Sequence, residues 1–278
     1  MDYQTSDLIF AFTLTLIAGL STGIGSALAF FTKKTNTSFL SIALGFSAGV
    51  MIYLSFVEIF PKSMESLSET MSESNAFLFA TIAFFVGILI TALIDRLVPD
   101  LANPHEIRDV AELEEREEED IVAKSKSLMR MGVFTAIAIT LHNFPEGIAT
   151  FLAALENPAL GISIAVAVAI HNIPEGIAVS MPIYYATGSR KKAFVYSFLS
   201  GLAEPLGAIV GFFILSSFMN EMTFGLVFAA VGGIMVYIAL DELLPTAEKY
   251  GAHHKVIYGL LAGMAVMAFS LIILPDMF

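Results

Sequence analysis

Long apolar runs alternate with short polar connections along most of the chain, and this pattern predicts membrane-spanning helices. A helix needs about 20 mostly apolar residues to cross the hydrocarbon core of a bilayer. Eight segments meet this requirement, at residues 7–31, 38–60, 76–98, 128–154, 159–185, 193–217, 223–246 and 255–274. The sequence therefore predicts an all-α integral membrane protein with eight transmembrane helices.

The composition supports this prediction and limits the classes of binding partner that can be expected. Of the 278 residues, 56% are hydrophobic and 14% are charged, and the mean hydropathy is +0.78; soluble domains are only about half apolar. We therefore expect the lipid bilayer as a partner. The net charge of -12 argues against a nucleic-acid partner. With no cysteine in the chain, any metal must be bound by nitrogen and oxygen ligands.

The basic residues indicate how the helices are oriented in the membrane. They concentrate in alternate connections, at Lys33 and Lys34, at Arg108, Arg116, Lys124 and Lys126, at Arg190, Lys191 and Lys192, and at Lys249 and Lys255. Connections rich in Lys and Arg stay in the cytoplasm, so both termini are predicted to lie outside it. The first apolar segment, from Leu8, has no basic region before it and is predicted to be a retained helix.

Two pairs of similar segments indicate an internal repeat. Gly-Leu-Ser-Thr-Gly-Ile-Gly at 19–25 resembles Gly-Leu-Ala-Glu-Pro-Leu-Gly at 201–207, and residues 49–61 resemble residues 233–245. Helices one and six start on opposite sides of the membrane, so helices one to three and six to eight form an inverted repeat around the pair four and five. This 3+2+3 arrangement, in one transmembrane domain over residues 1–278, is typical of secondary transporters.

The segment 99–127 is the only long polar connection. It contains a run of acids at Glu112, Glu114, Glu115, Glu117, Glu118, Glu119 and Asp120. Like charges at this density disfavour compact packing, so we predict a flexible or partly helical cytoplasmic loop. Either metal collection or plain solvation is compatible with this sequence.

The chemistry is concentrated in one hexapeptide that occurs twice, at residues 142–147 and 171–176. The two copies read His-Asn-Phe-Pro-Glu-Gly and His-Asn-Ile-Pro-Glu-Gly, each inside a predicted span. On a helix, Glu146 lies about 40° from His142 and about 60° from Asn143 on the other side. His171, Asn172 and Glu175 have the same angular arrangement on the next helix. If the two sets face each other, they could bind two cations bridged by the glutamates. The alternative is that the polar groups only hydrogen-bond to each other, but two copies in the same order favour an ion path.

Other polar residues leave more than one interpretation open. Glu204 is an acid beside a proline within a span, and either binds metal or makes a structural hydrogen bond at the kink. We interpret Met51 and Met235 as packing residues. For Glu58, Asp241 and Glu242 we expect solvated helix ends rather than gating positions, whereas a role for His253 and His254 stays open.

These motifs together resemble the Zrt/Irt-like (ZIP) family of divalent metal transporters, in particular its bacterial zinc-uptake type. The resemblance covers nearly the whole chain and is carried by residues 142–149, 171–178, 201–207 and 241–245. It implies eight helices in the inner (cytoplasmic) membrane, metal uptake into the cytoplasm, and a two-metal site between helices four, five and six. It further implies one metal ligated by His142, Glu146, His171 and Glu175, and a second by Asn143, Glu146, Asn172, Glu175 and Glu204. Family members often carry histidines between helices three and four, where this chain is acidic.

The expected function is therefore uptake of divalent cations, with zinc first and iron(II), manganese, cobalt and cadmium as further candidates. The cation is the cargo, and no resident cofactor is expected. An intramembrane metal-dependent hydrolase is the alternative, since His/Glu sites with an open position also activate water; the missing His-Glu-x-x-His motif argues against an enzyme. Carrier or channel mechanism, proton coupling and oligomeric state, including a homodimer, stay open.

Overall fold

A computed structural model of the chain describes residues 4–29, 37–97, 120–215 and 220–273. Over these ranges the chain forms helices and no β-strand. Most of the acidic loop and the connection after the first helix therefore lie outside the described residues.

Eight long helices, named α1 to α8, follow the predicted segments in order within the described ranges. Five are continuous: α1 Thr5–Ala29, α3 Glu73–Leu97, α4 Asp120–Glu156, α5 Pro158–Thr187 and α8 His253–Ile273. Within the described residues, seven helices are long and apolar enough to cross a membrane, and α4, with 37 residues, is also long enough. The prediction of an all-α membrane protein is confirmed, although α4 begins at Asp120 rather than at residue 128.

The remaining three helices change geometry along their length. α2 consists of Thr37–Leu54, a π-helical turn at Ser55–Ile59 and Phe60–Ser68. α7 repeats this order, with Glu221–Ile238, a π-helical turn at Ala239–Leu243 and Leu244–Tyr250. α6 consists of Arg190–Gly201 and Ala203–Leu215, separated at Leu202.

A proline explains each π-helical turn. Pro61 and Pro245 have no N–H to donate one turn back, so the regular α-helical ladder is interrupted there. The preceding residue compensates by bonding five residues back: Phe60 N–H donates to the Ser55 carbonyl, and Leu244 N–H donates to the Ala239 carbonyl. The two turns occupy matched positions in the similar segments 49–61 and 233–245, as expected for a repeat.

The tight connection between α4 and α5 follows from its capping residues. The Asn157 side chain accepts hydrogen bonds from the N–H groups of Ala159 and Leu160, and Pro158 takes the first helical position. α5 ends at Gly188, whose φ of 63° is left-handed and therefore suits glycine. The two hexapeptide helices thus follow each other directly and pack side by side.

α5 occupies the centre of the protein, whereas α3 and α8 lie at its edge. In the most apolar part of each helix, 72% of the α5 residues are buried but only 22% in α3 and in α8. α1, α4, α5 and α6 pack together, while α2 pairs with α8 and α3 pairs with α7. The large exposed side chains of α3, among them Phe85 and Leu89, are what a lipid-facing helix presents.

Candidate metal centre

The two hexapeptide helices, α4 and α5, contact α6 and α1 closely through glycines. A methyl group on Gly147 would overlap the carbonyl of Glu204 in α6, and one on Gly176 would overlap the carbonyl of Thr22 in α1. Both hexapeptides stay helical through their prolines. The glycine that ends each hexapeptide therefore lets the neighbouring backbone come close to the glutamate beside it.

The predicted ligand side chains that the structure describes are all buried. Each is at most 1% exposed: Asn143, Glu146, His171, Asn172, Glu175 and Glu204. The side chain of His142, the seventh predicted ligand, lies outside the described residues. Three carboxylates and an imidazole so far from water are costly unless partners or cations compensate them, which is typical of ion sites in membrane proteins.

One pair joins the two hexapeptides directly. His171 Nε2 of α5 lies 2.9 Å from Glu146 Oε1 of α4. Angular spacing predicts that histidine and glutamate lie together on one helix, whereas the structure places the histidine of one copy against the glutamate of the other. Imidazole nitrogen and carboxylate oxygen are both zinc ligands, so a cation could be bound between these two groups.

The two asparagines are oriented in the same way. Asn143 Nδ2 donates to the Ser200 carbonyl of α6 at 3.1 Å, and Asn172 Nδ2 donates to the Ala18 carbonyl of α1 at 3.0 Å. Asn172 Nδ2 also makes a short hydrogen bond to Glu204 Oε1. Both amide nitrogens thus donate to backbone carbonyls. The Oδ1 atoms of both asparagines have no hydrogen-bond partner in the described part of the chain, so they are available as acceptors for a cation.

The break in α6 places Glu204 beside this group. Glu204 lies in the first turn of Ala203–Leu215, where a helix N-terminus favours negative charge. The carboxyl groups of Glu146 and Glu175 are its neighbours. A divalent cation among the three would stabilise their ionised forms.

Ser47 of α2 is a neighbour of the site that sequence reasoning missed. Its hydroxyl lies within hydrogen-bonding distance of Glu175 Oε1, at 3.4 Å, and of the His171 carbonyl, at 3.3 Å. A serine in an apolar run gives no sequence signal, because most such hydroxyls bond to their own helix.

The side chains are adjacent but not yet arranged around an ion. Among the described residues, no three His, Asp or Glu side chains converge at distances that would hold a metal. Instead, Asn172 donates to Glu204, and His171 Nε2 lies against Glu146 Oε1. Cation binding would therefore exchange these pairs for metal contacts.

The structure also places the residues whose roles the sequence left open. Met51 and Met235 are buried in the apolar core, as predicted. The expectation of a solvated helix end is wrong for Glu242, which is only 6% exposed, because α7 continues past Pro245 to Tyr250. His253 is exposed, and its Nδ1 lies 2.7 Å from Glu248 Oε1.

A second acidic group lies where the ends of α2, α4 and α7 meet. Partial shielding from water raises the pKa of Glu156 above its usual value, and the charges of Glu221, Glu69 and Glu65 raise it further, with Lys62 opposing. Ser66 Oγ donates to Glu221 Oε2 at 2.8 Å. This end of the protein therefore carries a concentrated negative charge.

Comparison with known proteins gives one consistent result. The sequence profile of the family described as ZIP Zinc transporter matches residues 6–106 and 96–271. A "Zinc transporter ZupT" from Chlorobium phaeovibrioides is 64% identical over 269 residues, which are 97% of this chain and 99% of that protein. Proteins of the same name from Chlorobaculum parvum and Streptococcus mutans are 60% and 59% identical over 270 residues, again 97% of this chain and 99% of each relative.

Proposed function

Because the chain belongs to the ZIP zinc transporter family, we propose that it takes up divalent metal cations, zinc first among them, into the cytoplasm. The family consists of transporters, so the hydrolase alternative is set aside and the protein is not an enzyme. Zinc is favoured because the similar proteins carry that metal in their names. Iron(II), manganese, cobalt and cadmium are further cargoes in this proposal, since mixed nitrogen and oxygen ligands separate these ions weakly.

The proposed ligands are His142, Asn143, Glu146, His171, Asn172, Glu175 and Glu204. The observation that carries this assignment is the buried contact between His171 Nε2 and Glu146 Oε1 across α4 and α5. The two asparagine amides support it, because backbone carbonyls hold their nitrogens and leave their oxygens for a cation.

The ligands divide into two cation positions that share two carboxylates. On the histidine side, His142 and His171 bind one cation together with Glu146 and Glu175. On the amide side, the same glutamates bind a second cation with Asn143, Asn172 and Glu204. The site has three carboxylates for two divalent cations. Sharing Glu146 and Glu175 gives each cation at least two carboxylates at membrane depth, where an uncompensated charge is costly.

The proposal includes the setting of the site. The chain forms a single transmembrane domain in the cytoplasmic membrane, with both termini outside and the acidic loop 99–127 in the cytoplasm, as the distribution of Lys and Arg suggests. A homodimer is the oligomeric state to examine first, by cross-linking in native membranes.

Transport in proteoliposomes tests this function. Purified protein should accumulate zinc inside vesicles, and His171→Ala and Glu146→Gln should each reduce the initial rate to a small fraction of wild type at equal protein content. His253→Ala is the matched control, because this exposed histidine lies outside the proposed ligand set. Zinc accumulation no faster than in empty vesicles would contradict the proposed function, whereas normal rates in both site variants would contradict the ligand assignment.

A further inference from the structure

α1 and α6 are in close backbone contact at a pair of matched glycines. A methyl group on Gly19 would overlap the carbonyl of Gly201, and one on Gly201 would overlap the carbonyl of Gly19. A local two-fold relation between the segments 19–25 and 201–207, which also resemble each other in sequence, would give such a reciprocal contact.

The same relation extends to the contacts of the hexapeptides. Asn172 donates to the carbonyl directly before Gly19, and Asn143 donates to the carbonyl directly before Gly201. Three residues after each glycine the correspondence pairs Thr22 with Glu204. The position that carries a carboxylate in α6 therefore carries a hydroxyl in α1.

The surroundings of these two side chains match as well. The Thr22 hydroxyl oxygen lies 2.8 Å from the point where a Cβ on Gly201 would stand, and the Glu204 Cβ lies 3.3 Å from the corresponding point at Gly19. Thr22 thus faces the stretch of α6 to which the Asn143 amide is bonded, and its own carbonyl lies against Gly176, the residue after Glu175.

The Thr22 hydroxyl differs from the other hydroxyls of α1. Thr15, Ser21 and Ser26 all donate to carbonyls of their own helix, which is the usual arrangement for buried hydroxyls in apolar helices. Thr22 is completely buried, and its hydroxyl oxygen has no hydrogen-bond partner within the described residues. Buried hydroxyl groups ordinarily have a hydrogen-bond partner, and the Thr22 hydroxyl is therefore available to a further one.

From these observations we propose that Thr22 Oγ1 is a further ligand of the amide-side cation, either directly or through a water molecule bound to that cation. The proposal rests on the proposed function and adds a residue on α1. With Thr22, the amide side offers only oxygen atoms from asparagine, glutamate and threonine side chains. Oxygen ligands suit manganese(II), whereas the imidazoles of the other side suit zinc. Thr22 therefore determines how well the site accepts oxygen-preferring cations.

Metal binding by purified variants tests this assignment. Thr22→Val removes the hydroxyl and keeps the shape, whereas Thr22→Ser keeps the hydroxyl. Thr22→Val should weaken manganese binding about tenfold and leave zinc binding on the histidine side unchanged, and Thr22→Ser should largely restore manganese binding. Thr15→Val is the matched control, because Thr15 is equally buried in α1 but bonds to the Ala11 carbonyl.

The outcomes separate this proposal from the proposed function. Unchanged manganese affinity in Thr22→Val would overturn the role of the hydroxyl, and equal losses in Thr22→Val and Thr22→Ser would show that Thr22 acts only through packing. If Thr22→Val did not elute as a single folded species, Thr22→Ala would replace it with the same expected loss. Failure of the wild-type protein to bind zinc would instead overturn the proposed function itself.

Discussion

Asn143→Asp is a sharp test of how the amide-side ligands are held, because it exchanges a hydrogen-bond donor for a carboxylate oxygen without changing shape. Asn143 Nδ2 donates to the Ser200 carbonyl at 3.1 Å inside a fully buried site. The substitution removes that hydrogen bond, a net loss of about 0.5–1.5 kcal/mol. It also places a carboxylate oxygen against the Ser200 carbonyl oxygen, which costs about 1–3 kcal/mol more. Without metal, we therefore expect a destabilisation of about 1.5–4.5 kcal/mol and a clearly lower melting temperature.

Metal should offset part of this destabilisation, because the new carboxylate lies beside the proposed cation. A tenfold gain in affinity would add about 1.4 kcal/mol of stabilisation at saturating metal. Thermal unfolding in detergent, with chelator and with saturating zinc, measures both terms. Asn75→Asp is the control, because Asn75 is an exposed residue in the first turn of α3, away from the site. A zinc-induced shift no larger than that of wild type would refute the placement of Asn143 beside a cation, and an unchanged melting temperature in chelator would refute its hydrogen bond.

Three further predictions follow from charge and topology. Uptake should weaken as the external pH falls through about 6, near the reference histidine pKa, because His142 and His171 must be neutral to bind metal; a flat profile between about pH 5 and 8 would exclude histidine ligands. Single cysteines near Glu69 and Glu115 of this cysteine-free chain should react with an impermeant thiol reagent from opposite sides of the membrane, and labelling from one side would contradict the topology. Glu156→Gln should raise the melting temperature near neutral pH but not below the usual glutamate pKa, since the raised pKa in the folded state makes the charged form destabilising only above that range; an equal effect at both pH values would contradict this.

The number and order of the helices could be predicted from the sequence, because each span is a long apolar run. The details that set the site geometry could not. The π-helical turns add one residue to a turn without changing the apolar pattern, so only Pro61 and Pro245 hinted at them. The separation of α6 at Leu202 was likewise visible only as a proline after Glu204.

The candidate ligands could also be predicted, but their pairing could not. Angular spacing on one helix relates His171 to Glu175, whereas the contact between His171 and Glu146 depends on how α4 and α5 are rotated against each other. The glycine contacts of α4 with α6 and of α5 with α1 are long-range as well, so the sequence of one helix does not reveal them. Ser47 and Thr22 were missed because a hydroxyl in an apolar helix ordinarily bonds to its own backbone.

The most direct test of the central claim is the metal-to-protein ratio of purified, folded variants by elemental analysis. The account predicts two zinc equivalents in the wild type, one after His142 and His171 are both replaced by alanine, and none after Glu146 and Glu175 are both replaced by alanine. The shared glutamates explain this difference, because each contributes to both cation positions. Wild-type stoichiometry in the double histidine variant, or one full equivalent in the double glutamate variant, would contradict the bridged two-cation site.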